Sequence, residues 1–141
     1  MTGLHERQSQ EVLNRSFDSS QNRLRTQGQD TSNVLDGRVE VAVKVAVVTA
    51  SASGATQIVA AVTGKKIRVL GIAYSVNAAV NVKWQSATTD KTGLFYHGGA
   101  GHGIVMEAAR GFLFETDSAA ALNINLSGAV AVGGQLRYVE V

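Results

Sequence analysis

The stretch that decides the fold is Val80–Ser86, VNVKWQS, in which apolar and polar residues alternate. Side chains of a β-strand point alternately to its two faces, so this period of two places the valines and Trp84 inward and the polar residues outward. Leu122–Ser127, LNINLS, repeats the pattern. So does Val39–Val47, where five valines occupy alternate positions and thus share one face of a strand. From Val39 onward the chain is therefore predicted to be all-β.

Turn-forming residues separate these strands. Turns are predicted at Ser51–Gly54, Thr63–Lys65 and Asn77–Ala79, and Gly133–Gly134 has the form of a two-residue hairpin. Short strands that recur about every 8–12 residues favour an antiparallel sandwich or barrel. The last residues, 137–141, continue the strand pattern to the end of the chain, so we expect that strand to be paired.

One strand, Lys66–Val76, does not alternate cleanly. Its apolar phase shifts between Val69 and Leu70, with Gly71 at the shift. A β-bulge or strong twist accounts for such a shift, and so does burial on both faces beyond Leu70 within a subunit interface, and the sequence leaves both open.

The first 38 residues differ in composition from the rest. Only eight of them are apolar, and Gln, Ser, Asn, Thr and balanced charges fill most other positions. A segment this polar buries too little apolar surface to offset its ordering entropy, about 1–2 kcal/mol per residue. We therefore predict an extended N-terminal arm and linker over residues 1–38 and a β-domain over residues 39–141.

Composition excludes several classes of function. The chain has 13 basic and 11 acidic residues, a net charge of +2 that is too small to indicate a nucleic-acid partner. It has no cysteine, which excludes disulfides and thiolate chemistry, and no apolar run of the length that crosses a membrane. Charged residues make up only 17%, which indicates either a surface with few charges or one that is partly buried against a partner.

The residues that bear chemistry are few. His97 and His102 bracket a glycine-rich loop, but one nearby carboxylate, Glu107, does not complete a zinc site, and we expect a connector with solvated imidazoles. A strand rather than a helix follows the loop, which argues against phosphate binding, and no nucleophile motif occurs. We expect no cofactor, no metal and no enzymatic activity. Trp84 is expected in the core, whereas one of the adjacent Phe95 and Tyr96 should face solvent.

Several stretches resemble tailed-phage virion structural proteins. Gln57–Leu70, QIVAAVTGKKIRVL, is similar to a run found in many of them, as is the pattern of Ala121–Val141. Ahead of these, Val12–Asp18 and Asn22–Arg25 look like the arm that such proteins carry. The Gly/His segment from Leu94 to Gly111 departs from the family pattern, so no shared role is carried over to it.

The resemblance implies a capsid decoration (cement) protein on the virion surface. Such proteins are commonly β-sandwich or jelly-roll domains, here of about eight strands, and often homotrimers whose arms lie on the major capsid protein. On that basis the arm would dock through the apolar anchors Val12, Leu13, Phe17 and Leu24, with Arg23 and Arg25 meeting acidic or carbonyl groups. The alternative is a receptor- or glycan-binding module of a head fibre or tail, with contacts at Tyr96, His97 and His102.

Overall fold

The computed structural model describes residues 33–36 and 39–141, with side chains from Glu40 onward. These residues form strands and connecting turns and no helix, which confirms the all-β prediction. The strands are β1 Asn33–Asp36, β2 Val39–Ala42, β3 Lys44–Ala50, β4 Gly54–Val59, β5 Ile67–Val76, β6 Val80–Ser86, β7 Thr89–Asp90, β8 Phe95–His97, β9 Gly103–Glu107, β10 Phe114–Glu115, β11 Leu122–Leu126 and β12 Val132–Glu140.

The strands form two antiparallel five-stranded sheets. The first has the order β10-β5-β12-β3, with β9 also pairing with β5. The second has the order β4-β11-β6-β7, with β8 also pairing with β6. Strands β1 and β2 form a separate two-stranded ladder.

The connections are those of a jelly roll. If the short strands β7 and β10 are set aside, the first sheet reads β3-β12-β5-β9 and the second β4-β11-β6-β8. The first and last of these eight strands are thus neighbours in one sheet, and the second and seventh are neighbours in the other. Two interleaved Greek keys of eight strands give this order, and the predicted sandwich of about eight strands is confirmed.

The two sheets bury the residues that alternation placed inward. Val80, Val82 and Trp84 on β6 are buried, as are the three apolar residues of β11. They pack against Ile72 and the other inward residues of the first sheet in one apolar core. Because both sheets contribute a full row of branched or aromatic side chains, this core supplies the main free energy of folding.

The irregularity in β5 is a β-bulge. Arg137 of β12 pairs with Gly71, but the next residue, Tyr138, pairs with Val69, so Leu70 has no partner on β12. The Leu70 carbonyl instead accepts a hydrogen bond from the Ala108 amide, at 2.9 Å. The extra residue explains why Val69 and Leu70 are both buried, and it confirms the bulge interpretation.

The hairpin prediction at Gly133–Gly134 is wrong. Both glycines lie inside β12, where Gly133 pairs with Thr49 and Ser75 and Gly134 pairs with Val48 and Tyr74. A Cβ on Gly134 would lie 2.6 Å from the Tyr74 Cα, closer than real side chains approach. Gly134 is therefore present because β5 passes close to it, and the chain turns earlier, between β11 and β12.

The valine run is also not one strand. Pairing breaks at Val43, so β2 ends at Ala42 and β3 begins at Lys44. Along β3 the buried residues are Val48 and Ala50, whereas Val45 and Val47 are 62% and 72% exposed. Alternation holds, but the valines of β3 take the outer face of the first sheet.

The C-terminal strand is paired on both sides. β12 lies between β3 and β5, and beyond it the Val141 and Lys66 backbones exchange two hydrogen bonds, of 3.0 and 2.7 Å. The expectation that the chain ends in a paired strand is confirmed.

Candidate interaction surfaces

The arm residues cannot be placed. Val12, Leu13, Phe17, Leu24, Arg23 and Arg25 lie outside the described residues, as does the proposed arm boundary at residue 38. Their docking role stays a prediction.

The strand β8 places its three side chains as alternation requires. Phe95 packs against the core, Tyr96 is 76% exposed, and His97 is buried again. Phe95 and Tyr96 therefore confirm the expectation that one faces inward and the other solvent. Tyr96 pairs with Asn81 across β6 and lies on the outer face of the second sheet.

His97 is not the solvated imidazole that the sequence suggested. It is 8% exposed, and its Nε2 atom lies 3.0 Å from the Tyr74 hydroxyl. The two rings meet edge to face, with centroids 5.4 Å apart. Burial lowers the pKa of His97, and the nearby His102 lowers it further, so the ring is held neutral. Because Tyr74 belongs to the first sheet and His97 to the second, this hydrogen bond ties the two sheets together.

The loop after His97 is a defined turn. The Gly98 amide donates to His102 Nδ1 at 3.2 Å, while Gly101 and His102 bond to the backbone of Val76 at 2.8 Å each. Gly101 has a φ of +79°, a conformation that glycine adopts without strain. Beside this turn is an open cleft of about 380 Å³ lined by Ser75–Asn77, Gly101 and Ala131–Gly133. Its lining carries no charged side chain, and its polar side chains are those of Ser75 and Asn77.

Metal-ligating groups do not converge in the part of the chain that the structure describes. Within those residues no three His, Asp or Glu side chains lie close enough to hold one ion. His97 and His102 thus stand without a third ligand.

The outer face of the first sheet is unusually apolar. Residues paired directly across antiparallel strands share a face, so the registers define three rows over β3, β12, β5 and β9. We name these rows together the valine face: Thr49, Gly133, Ser75 and Gly103; Val47, Gln135, Ala73 and Val105; Val45, Arg137, Gly71 and Glu107. Its three valines are 62 to 77% exposed.

The charges on the valine face balance. Arg137 and Glu107 are its only charged residues, and their side chains form an ion pair. The pair crosses over Gly71 of the intervening strand, where an added Cβ would collide with the Glu107 carboxylate. Glycine at this position lets the two side chains lie flat on the sheet.

The outer face of the second sheet carries polar side chains that are hydrogen-bonded to one another. Asn125 donates to Gln85 at 3.1 Å, Gln85 donates to Asp90 at 2.7 Å, and Lys83 donates to the other Asp90 oxygen at 3.0 Å. These hydrogen bonds hold the pKa of Asp90 below its usual value. The two outer faces of one sandwich therefore differ: one carries a connected polar network, the other carries valines and glycines.

Sequence reasoning found the exposed tyrosine but missed the valine face. The signal was present as five alternating valines, but alternation does not state which face is inward.

The described residues contain no helix long and apolar enough to cross a membrane. Comparison of the chain with family models, curated proteins and solved structures gave no significant match.

Proposed function

We propose that the chain is a non-enzymatic structural protein of a phage virion, a decoration protein that docks on the capsid through its N-terminal arm and stabilises the shell. The observation that carries the proposal is the valine face. Val45 and Val47 are neighbours on β3 and Val105 lies on the opposite edge of the same flat face, and exposed apolar residues gathered on one sheet face favour a surface that is covered in an assembly. The family resemblance and the jelly-roll topology are in keeping with it, although a fold alone does not define a function.

In the proposed mechanism the arm binds the capsid, and the sandwich is the rigid domain that the arm attaches to it. Ordering a polar segment costs free energy when it docks, so a few apolar anchors must supply the gain. Leu13, Phe17 and Leu24, with Val12, would enter apolar sites on the major capsid protein, and Arg23 and Arg25 would pair with carboxylates or carbonyls. A copy that contacts two neighbouring capsid subunits raises the barrier to their separation.

A second function is favoured by one observation. Tyr96 is 76% exposed on a rigid strand, and an exposed aromatic ring next to a structured loop suits stacking on a sugar. In that case the chain would be a receptor- or glycan-binding module of a head fibre or tail, and affinity would lie in the Tyr96–His102 loop.

The two functions are separated by two variants of the full chain. The first replaces Leu13, Phe17 and Leu24 by serine; the second is Tyr96→Ala. Particles of the phage that encodes the chain, assembled without it, are mixed with each protein, and bound protein is measured by sedimentation and cryo-electron microscopy. We expect the arm variant to lose binding by at least about tenfold and the Tyr96 variant to bind normally, since each buried apolar side chain contributes about 1.5–3 kcal/mol.

The opposite result would favour the second function. If the arm variant binds like the unmodified chain while Tyr96→Ala abolishes attachment of particles to cells, adhesion replaces cementing. If mass spectrometry finds no copy of the chain in purified particles, both functions fail. Unchanged thermal melting of the two variants is the control that their sandwich is intact.

A further inference from the structure

We infer that the valine face packs against the same face of a second copy of this chain. The inference deepens the proposed function by naming the surface through which copies associate. Its test uses the free protein in solution, so its failure can be told apart from failure of capsid docking.

The contrast between the two outer faces is the first argument. Both faces belong to one sandwich, but the second sheet carries a connected polar network on its outer surface, whereas the first carries a single ion pair beside its exposed valines. The first sheet leaves Val47 and Val105 more than two thirds exposed. Exposed apolar area in water costs about 25 cal/mol per Å², which association recovers. This face is therefore the one that gains from being covered.

The second argument is charge. The valine face does not attract a strongly acidic or basic partner, because the charge of Arg137 is balanced by that of Glu107. A second copy of the same face supplies both an opposite cation and an opposite anion. Its small residues Ala73, Ser75 and Gly133 also permit the close approach of another flat sheet.

The strand order defines the geometry of such a pair. A two-fold axis that runs along the strands between β12 and β5 lays β3 of one copy over β9 of the other. By the observed register, Val47 then lies opposite Val105 of the second copy, and Gln135 lies opposite Ala73 of the second copy. Arg137 lies one strand away from Glu107 of the second copy. Val47 thus meets Val105 of the second copy, whereas Val45 lies opposite Glu107 of the second copy, and the two Arg137 residues lie as near to each other as each lies to Glu107 of the other copy.

The size of the face fits a modest interface. Five residues of each strand, at about 3.4 Å each, and four strands, about 4.8 Å apart, span on the order of 330 Å² per copy. Two copies bury about 700–800 Å² once the relief of the side chains is added, which is the size of a weak interface. We therefore expect a dissociation constant of about 100 µM, reached at the high local concentration of an assembly.

The experiment measures the mass of the full chain by sedimentation equilibrium from about 1 to 300 µM. The mass of the chain, 14.8 kDa, should approach twice that value and no more as concentration rises, because a two-fold interface closes with two copies. Val47→Lys and Val105→Glu should each weaken association by at least about 100-fold, because each would bury a charge without a partner. Mixed together, the two variants should associate again, because the new lysine then faces the new glutamate.

A matched control keeps the test selective. Ala55→Glu places a charge at an exposed position of the edge strand β4 on the opposite outer face, and it should associate like the unmodified chain. All three variants should keep the melting temperature of the dilute protein, because the replaced side chains are exposed in the protomer. A full chain that stays at 14.8 kDa at 300 µM overturns the inference. So does association that survives both Val47→Lys and Val105→Glu, which would place the interface elsewhere, for instance in the arm.

Discussion

Gly134→Ala is expected to be the most damaging one-methyl change in β12. A Cβ there would meet the Tyr74 Cα at 2.6 Å and the Tyr74 Cβ at 2.8 Å, and would lie even closer to the Ala73 carbonyl oxygen. Most of these atoms are backbone, so no rotamer change relieves the overlap. The strands β12 and β5 must separate locally, and Tyr74 must move away from His97.

The magnitude follows from three contributions. Forcing a Cβ against the backbone of the neighbouring strand costs about 1–3 kcal/mol, as overpacking does. Loss of the hydrogen bond between Tyr74 and His97 adds about 0.5–1.5 kcal/mol. The alanine recovers about 0.5–1 kcal/mol because it restricts the unfolded chain more than glycine does. We expect a net loss of about 0.5–4 kcal/mol, centred near about 2 kcal/mol, and a melting temperature lower by about 10 °C.

The assay is thermal melting of the full chain followed by far-UV circular dichroism, with near-UV circular dichroism to report the Tyr74 and Trp84 environment. Gly133→Ala is the matched control in the same strand, because no atom lies within 4 Å of a Cβ at that position. It should melt at or slightly above the temperature of the unmodified chain. If Gly134→Ala melts within about 2 °C of Gly133→Ala, the close approach of β5 does not explain this glycine.

Three further outcomes are expected. The pKa of His97 is lowered in the folded state by burial and by His102, so the unfolded chain takes up that proton first; stability should fall as the pH drops below the ordinary histidine pKa of about 6.5, and His97→Gln should flatten this part of a melting-temperature profile. Thr116→Val removes the acceptor, 2.9 Å from the Ile67 amide, in a buried site; urea unfolding should show a loss of about 1–3 kcal/mol, and Thr116→Ser should restore most of it. Removal of residues 137–141 deletes half of the central strand β12; a truncated chain with an unchanged melting temperature would contradict its pairing on both sides.

Much of the fold could be predicted because two strands carry an unambiguous pattern. In β11, and in β6 as far as Trp84, every inward position is large and apolar and every neighbour is polar, so the strand, its face and its burial follow from the sequence. The bulge in β5 could be listed as one of two alternatives, because a shift in apolar phase has few structural causes. The choice between them needed the register with β12, which is a long-range property.

The errors share a physical origin. Gly133–Gly134 has the composition of a hairpin and the structure of a strand, because the requirement for glycine comes from Tyr74, a residue distant in sequence. His97 was expected in solvent because its partner, the Tyr74 hydroxyl, belongs to the other sheet. In both cases local composition was read correctly, and the deciding contact was formed only when the two sheets packed.

The valines of β3 show where pattern reasoning stops for assembly proteins. Alternation divides the side chains of a strand between two faces, and it identifies the inward face only if the residues of the other face are polar. In β3 the inward positions hold Ala46, Val48 and Ala50, while the outer positions hold the bulkier Val45 and Val47. A strand that is apolar on both faces is expected when the second face is covered, because β-branched residues on a solvated face gain nothing from burial. We therefore interpret β3 as a strand that packs on both faces, with its inner face in the sandwich and its outer valines against the second copy that we infer. Mixing the Val47→Lys and Val105→Glu variants tests the contact with the second copy directly.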